Sequence, residues 1–486
     1  MKNQLCWWLV IVFLFIGILN ATTESVSAEL SYNIFQQDFD FFQKTLRESH
    51  PNIYANLPEP EFNKQVNLII EELATETDTL HFIAKLKQFS HLLGDAHTGP
   101  FYYQKETLFY PIAVCWLNDS WYINGTMKEL ADNIGSKIVS INGKDAEEFM
   151  STLMTLCGGE NIYWFRECAG DVMRYSSNLK LLDLAVEDND LHLVVEREGQ
   201  KKELILKEVE NCNWSIVSFS DPTQYKMVNY WGKALTADDI YYLQFNQFSD
   251  TKSDNSKDEF SNWKSFLTQT FSTIDSLKLH NLVIDLRNNF GGNSLMGDIL
   301  LSYWKLPDSL ATFTCDLCIS ELMFKDYDMD LEDIKKILSE ELNREIEDFI
   351  LPYVIQSVDN GIKKVSTEEY CNQQIGSLKE TNMLTPLFEG KIIILTGSKT
   401  FSSAVMFATM CQDNGLATIY GTPTGGKPSC FGDILSFTLP HTAIPCGVSH
   451  KYFRRPDYTR DPSDSLYPDV WLEIKAEDYF SGKDSV

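Results

Sequence analysis

The chain has 486 residues, enough for two or three domains, and 44% of them are hydrophobic, which excludes a disordered chain and allows large cores. Its formal net charge of −28 excludes the basic surface that nucleic-acid binding requires and suits a soluble, exported protein.

Lys2, an apolar run from Cys6 to Leu19 and small residues ending at Ala28 follow one another at the N-terminus. This order reads as a signal peptide over 1–28, too short an apolar run for a membrane span, with an uncleaved anchor as the alternative. No later stretch is apolar enough to cross a bilayer. The expected location is therefore secreted or extracytoplasmic, with cell-envelope association included. Removing Cys6 leaves an even number of cysteines, compatible with disulfides or with free thiols. "CDLC" at Cys315 and Cys318 is half of a metal knuckle with no second pair, so no metal site is expected there.

From about Phe35 to Leu93, apolar residues recur at three- and four-residue steps, predicting a helical module over 29–100 that ends in the turn "GDAHTG". Short alternating strands follow, with turns at "NDS" and "NG". They predict a β-rich domain over 101–215, and its "GSKIVSINGKDAEEF" has the form of a PDZ-like peptide-binding domain. Such domains take an extended peptide as an added strand. From Tyr241 the pattern alternates: "YYLQFNQF" as strand, "FSNWKSFLTQTFSTIDSL" as helix, then "NLVIDLRNN", "KIIILTG" and "LATIYG" as strands. Alternation of this kind defines an α/β core with a largely parallel sheet, here over 216–480. A charged, helical insertion is expected over 307–386, as a lid or an oligomer contact. Oligomeric state stays open.

Two strand ends carry the chemistry. After "KIIILTG", Ser402 and Ser403 open an apolar helix whose first N–H groups and dipole favour negative charge. Ser402 is either a helix cap or a nucleophile with the Ser403 N–H beside it. After "VIDLRNN", Gly291 and Gly292 allow backbone N–H groups to approach a ligand. In parallel sheets, sites form at the carboxyl ends of strands. A serine needs a base, and two candidates stand out: Lys427 in "GTPTGGKPS" and His97 in "GDAHTG".

"VIDLRNNFGGN", "TFSSAVMFATMCQDNG", "TIYGTPTGGKP" and "YPDV" together resemble the tail-specific (C-terminal processing) serine protease family, which includes the tricorn protease core and the interphotoreceptor retinoid-binding protein. The resemblance implies a crotonase/ClpP-like α/β core and a peptide or protein substrate, with no metal or organic cofactor. It implies Ser402 as nucleophile, with Ser403 and Gly291 or Gly292 as oxyanion donors. Lys427 matches the lysine of one branch, although Phe431 stands where that branch usually has glutamine. The "GDAHTG" turn is similar to a tricorn-type branch, where a histidine serves as base. Asp461 or Asp464 would complete that site, and Asp413 matches a polar helix-end residue. These comparisons favour Ser402–His97 over Ser402–Lys427. The implied activity is an exported serine endopeptidase working through an acyl-enzyme. A catalytically inactive peptide- or ligand-binding protein on the same fold is the alternative. A hydratase of coenzyme A esters shares the fold class but does not suit export.

Overall fold

The computed structural model describes residues 34–101, 108–250, 260–342, 349–356, 362–375 and 387–486. The signal-peptide expectation lies outside them. Among the described residues, no helix is long and apolar enough to cross a membrane. Cys315 and Cys318 are free thiols.

The described residues form two compact units. The first draws on the described residues within Met1–Gln104, Cys315–Val358 and Cys430–Phe453; the second on those within Lys105–Thr314, Asp359–Ser429 and Arg454–Val486.

In the first unit, helices α1 (Ile34–Ser49), α2 (Glu59–Leu73) and α3 (Thr79–Leu93) bear out the periodic pattern. α1 stops one residue before His50-Pro51, because the residue before a proline is driven out of the helical region. Asp78 caps α3 by accepting from the Leu80 N–H, and Gly94 ends it in the left-handed conformation at φ 62°. Phe39, Phe42, Phe62 and Phe89 are fully buried at the centre of this core and meet edge to face or tilted. A five-stranded sheet completes the unit, with Gly99–Pro100, Pro445–Arg454, Thr314–Ile319 and Tyr353–Ile355 in that order and Cys430–Thr438 paired to Pro445–Arg454. The insertion is thus not simply helical. Its charged stretch forms a helix over Leu331–Leu342, but its flanks give strands to this sheet.

The second unit holds two sheets. In the β-rich one, strands β1 (Ile112–Leu117), β2 (Ser120–Met127), β3 (Lys137–Ile141), β4 (Leu191–Arg197) and β5 (Gln200–Leu206) lie in sequence order. Asn118 and Asp119 both take positive φ, 43° and 59°, as a two-residue hairpin turn requires. Asn142 and Gly143 repeat the device before helix α4 (Ala146–Met154). Helix α5 (Ile162–Val172) is capped by Asn161, which accepts from the Trp164 N–H.

That second sheet has the order Val470–Trp471, Thr418–Gly421, Lys391–Thr396, Asn281–Asp285, Ile240–Phe245, Tyr230–Leu235. In chain order these strands are β6 (Tyr230–Leu235), β7 (Ile240–Phe245), β8 (Asn281–Asp285), β9 (Lys391–Thr396), β10 (Thr418–Gly421) and β11 (Val470–Trp471). All neighbours pair in parallel except β6 with β7. The nearly unbroken apolar run of β9 is what a strand covered on both faces requires. Helices α6 (Ser261–Leu277), α7 (Leu295–Leu301) and α8 (Ser403–Asp413) cross over between strands.

Within α7, Asp298 is a half-buried acid whose carboxylate accepts from the Tyr370 hydroxyl. Burial pushes its pKa up to about 7, with the Tyr370 bond opposing. A raised folded-state pKa gives stability that is fully present below the unfolded value near 4 and is lost as pH rises through about 7. Asp298→Asn is therefore expected to match the wild type near pH 4. It should become more stable than the wild type by an increasing margin, of the order of a few kcal/mol, up to about pH 7. Chemical denaturation across that range checks it. A margin that does not change with pH would show that Asp298 ionises normally.

Candidate active site

Three loops leave the carboxyl ends of the adjacent strands β8, β9 and β10, and all three converge on Ser402. From β8 comes Gly291: a Cβ placed on it would lie 2.7 Å from Ser402 Cβ and 2.9 Å from the Ser403 nitrogen. From β10 comes Gly426, whose added Cβ would lie 3.3 Å from the Ser402 nitrogen. Side chains at either position would occupy the space in front of the serine.

Ser402 itself sits at φ 52°, ψ −127°, and its hydroxyl caps no N–H of α8. The helix-cap alternative is thereby answered. A non-glycine residue held in this region costs of the order of 1–3 kcal/mol. The strain is held by bonds on every side. Thr400 Oγ1 accepts from the Gly397 N–H (3.0 Å) and donates to Leu286 O (2.8 Å). The Phe401 N–H donates to Asn289 O (3.0 Å), and Ser403 Oγ donates to Gly292 O (2.5 Å). The result is a sharp strand-to-helix turn with Ser402 at its apex. Ser402 is half-buried, while Ser403 beside it is buried.

The glycine loop separates the two glycines. The Gly291 N–H donates to Asn289 Oδ1 at 2.8 Å, so it is already engaged. Gly292 is bridged to Phe248 through its neighbours: the Phe248 N–H donates to Gly291 O and the Asn293 N–H to Phe248 O. Among the described residues, neither the Gly292 N–H nor the Ser403 N–H has an acceptor, and these are the two donors the loops offer to an anion. Gly292 could not be replaced, since a Cβ there would lie 2.2 Å from Phe248 O.

Asn289 escaped the sequence analysis. It is fully buried, donates to Phe245 O (2.7 Å), accepts from Gly291 and holds Phe401 through its carbonyl. One side chain thus fixes the glycine loop to the end of β7, while its backbone fixes the serine loop. Glu160 and Asn161 also escaped it. Glu160 Oε2 accepts from the Lys427 N–H at 2.6 Å. Asn161 Nδ2 donates to Thr424 O and to Asp464 O, at 3.0 and 2.8 Å. The loop before α5 therefore clamps the glycine-rich loop from its backbone. Only the position of an acid and an amide directly after "CGG" hints at this in the sequence.

Lys427 is half-buried and follows Gly426, so its backbone lies beside the serine turn. Asp461 also reaches this loop. Its Oδ2 accepts from Ser429 Oγ (2.5 Å), and its Oδ1 is buried with no hydrogen-bond partner among the described residues. Asp464 is exposed, and its carboxylate accepts only from the Tyr467 hydroxyl among the described residues. Asp413 is placed elsewhere. It closes the far end of the 11-residue helix α8, about 15 Å along the axis from Ser403. There its buried carboxylate is bound by Arg455 (2.6 and 3.0 Å) and Arg460 (2.9 Å), an ion pair that anchors the chain after β10.

His97 belongs to the first unit, where the turn "GDAHTG" is organised by Asp95. Fully buried, Asp95 accepts from the His97 N–H (2.9 Å) and Thr98 Oγ1 (2.5 Å) and stands 3.3 Å from His50 Nε2 and 3.7 Å from His97 Nδ1. Burial opposes its ionisation, but the hydrogen bonds from His50 and His97 outweigh that and hold the carboxyl far below its ordinary range. The imidazole of His97 thus has a fixed anion beside Nδ1.

Adjacent strand ends of a parallel sheet thus carry a serine at a strained backbone position and a glycine loop packed against it. Residues 239–435 match the model of peptidase family S41. Solved structures of similar fold include mature CPAF in complex with lactacystin, at 15% identity over 93% of this chain and 96% of that one, with a TM-score of 0.63. A point mutant of CPAF is similar at 16% identity over 93% and 95%, with a TM-score of 0.62. No curated protein sequence matches this chain.

Proposed function

We propose that the protein is an exported serine endopeptidase in which Ser402 attacks the scissile carbonyl. The N–H groups of Ser403 and Gly292 receive the oxyanion, its collapse breaks the C–N bond and releases the amine product with the proton taken from Ser402, and water then hydrolyses the acyl-enzyme to free acid and Ser402. The observation that carries this reading is the strained backbone of Ser402 directly against the glycine loop. The β-rich sheet serves as a PDZ-like dock for extended peptide, a role supported by its form in sequence. Localisation outside the cytoplasm rests on the signal-peptide pattern of residues 1–28.

His97 is the proposed general base, supported by the tricorn-type turn and by the Asp95 carboxylate beside Nδ1. Asp461, with its buried Oδ1, is the proposed orienting acid. Lys427 is the competing base, supported by the nearness of its backbone to the serine turn. Peptide hydrolysis by His97→Ala and Lys427→Ala decides between them. The base should lose about 10²–10⁴-fold in kcat, with the other variant far less affected. If both variants retain wild-type kcat, the acid–base part of this reading fails.

A further inference from the structure

Phe290 immediately precedes the two glycines and is 54% exposed, although it lies on a loop otherwise pinned at Asn289 and Gly291. Its ring meets the edge of Trp164 at 5.9 Å and 75°. Trp164 in turn stacks on Phe401, the residue before Ser402, at 4.3 Å and 22°. Trp164 is held in place: its Nε1 donates to Gly158 O at 2.9 Å, and a Cβ on Gly425 would lie 2.9 Å from its ring. Three aromatic side chains from three segments therefore form a continuous wall from the serine turn to the glycine loop, ending in an exposed ring.

We propose that Phe290 and Trp164 form a specificity subsite for a large apolar side chain, aromatic or branched aliphatic, on the acyl side of the scissile bond. This inference rests on the reading of Ser402 as nucleophile and Ser403 and Gly292 as oxyanion donors. The attacked carbonyl must lie between those donors. The acyl-side side chain hangs from the Cα one bond, about 1.5 Å, from that carbon. Phe290 stands one residue, about 3.8 Å between Cα atoms, from Gly291, whose own Cα hydrogen faces Ser402. The residue joined directly to the glycine pair thus carries an exposed aromatic side chain, whose area a bound apolar group would remove from water without the desolvation cost of a charged one.

The test uses matched peptides that differ only in the acyl-side residue: Phe, Leu, Ala, Asp and Lys. The wild type is expected to favour Phe and Leu over Ala by about 10- to 100-fold in kcat/KM and to reject Asp and Lys. Phe290→Ala should collapse the Phe-to-Ala ratio by about tenfold, while Phe290→Leu should keep most of it. Circular dichroism and labelling of Ser402 by a serine-reactive phosphonate confirm that each variant is folded and competent. A wild type that prefers Asp or Lys, or a Phe290→Ala variant that retains the full ratio while Ser402→Ala is inactive, overturns the subsite alone. Unchanged hydrolysis by Ser402→Ala overturns the underlying reading instead.

Discussion

Replacing Ser402 with alanine or with glycine is expected to abolish peptide hydrolysis in both cases, with a fall in kcat of about five to six orders of magnitude. The two variants should then part company in stability. Alanine inherits the backbone at φ 52° with its cost unrelieved. Glycine adopts that conformation without a Cβ penalty, and the relief of about 1–3 kcal/mol exceeds the roughly 0.5–1 kcal/mol of added unfolded-state entropy. Ser402→Gly should therefore unfold at a higher denaturant concentration than both Ser402→Ala and the wild type. A glycine midpoint below that of alanine, by the unfolded-state entropy alone, would mean that no strain is stored at this turn. Both effects come from one residue, the mark of a site where stability is given up to present a hydroxyl.

The second large effect is expected at Gly291. A methyl group there would lie 2.7 Å from Ser402 Cβ and 2.9 Å from both the Ser403 nitrogen and Phe401 O, at a φ of 96° that alanine avoids. It would fill the space beside the Ser403 nitrogen, where the oxyanion is proposed to sit. Gly291→Ala is expected to lose at least about 10²–10³ in kcat, the effect of removing an oxyanion donor, and about 1–3 kcal/mol of stability from the backbone conformation. Reaction with a serine-directed phosphonate, whose phosphoryl oxygen occupies the same place, should slow in parallel. A folded Gly291→Ala enzyme with unchanged kcat would put the oxyanion somewhere other than beside Ser403.

The parts legible in the sequence were those fixed by local chemistry. "KIIILTG" reads as a buried parallel strand because both its faces are covered, and "NG" before "KDAEEF" reads as a hairpin turn because two positive φ values are needed there. The serine and the paired glycines were visible because each follows such a strand. Hidden from that reading were features set by distant pairing. Thr314–Ile319 and Pro445–Arg454 share a sheet across more than a hundred residues, which no local periodicity encodes, so the insertion read as helix alone. The division of labour between Gly291 and Gly292 depends on the Asn289 side chain, and Asn289 is an ordinary loop residue until its contacts are known. Glu160 is similar: a buried acid accepting from the backbone of Lys427 leaves no pattern in the chain. Asp413 shows the reverse. Its place at a helix end was legible, but its two arginine partners lie more than forty residues further on and make it an anchor.

The most direct measurement is to trap the covalent intermediate. The enzyme is mixed with a slowly deacylating ester substrate, quenched in acid, weighed intact and digested for peptide mapping. The account predicts a single acyl group carried by Ser402 and absent from Ser402→Ala. An acyl group on any other residue, or steady hydrolysis of the ester by the Ser402→Ala protein, would contradict it.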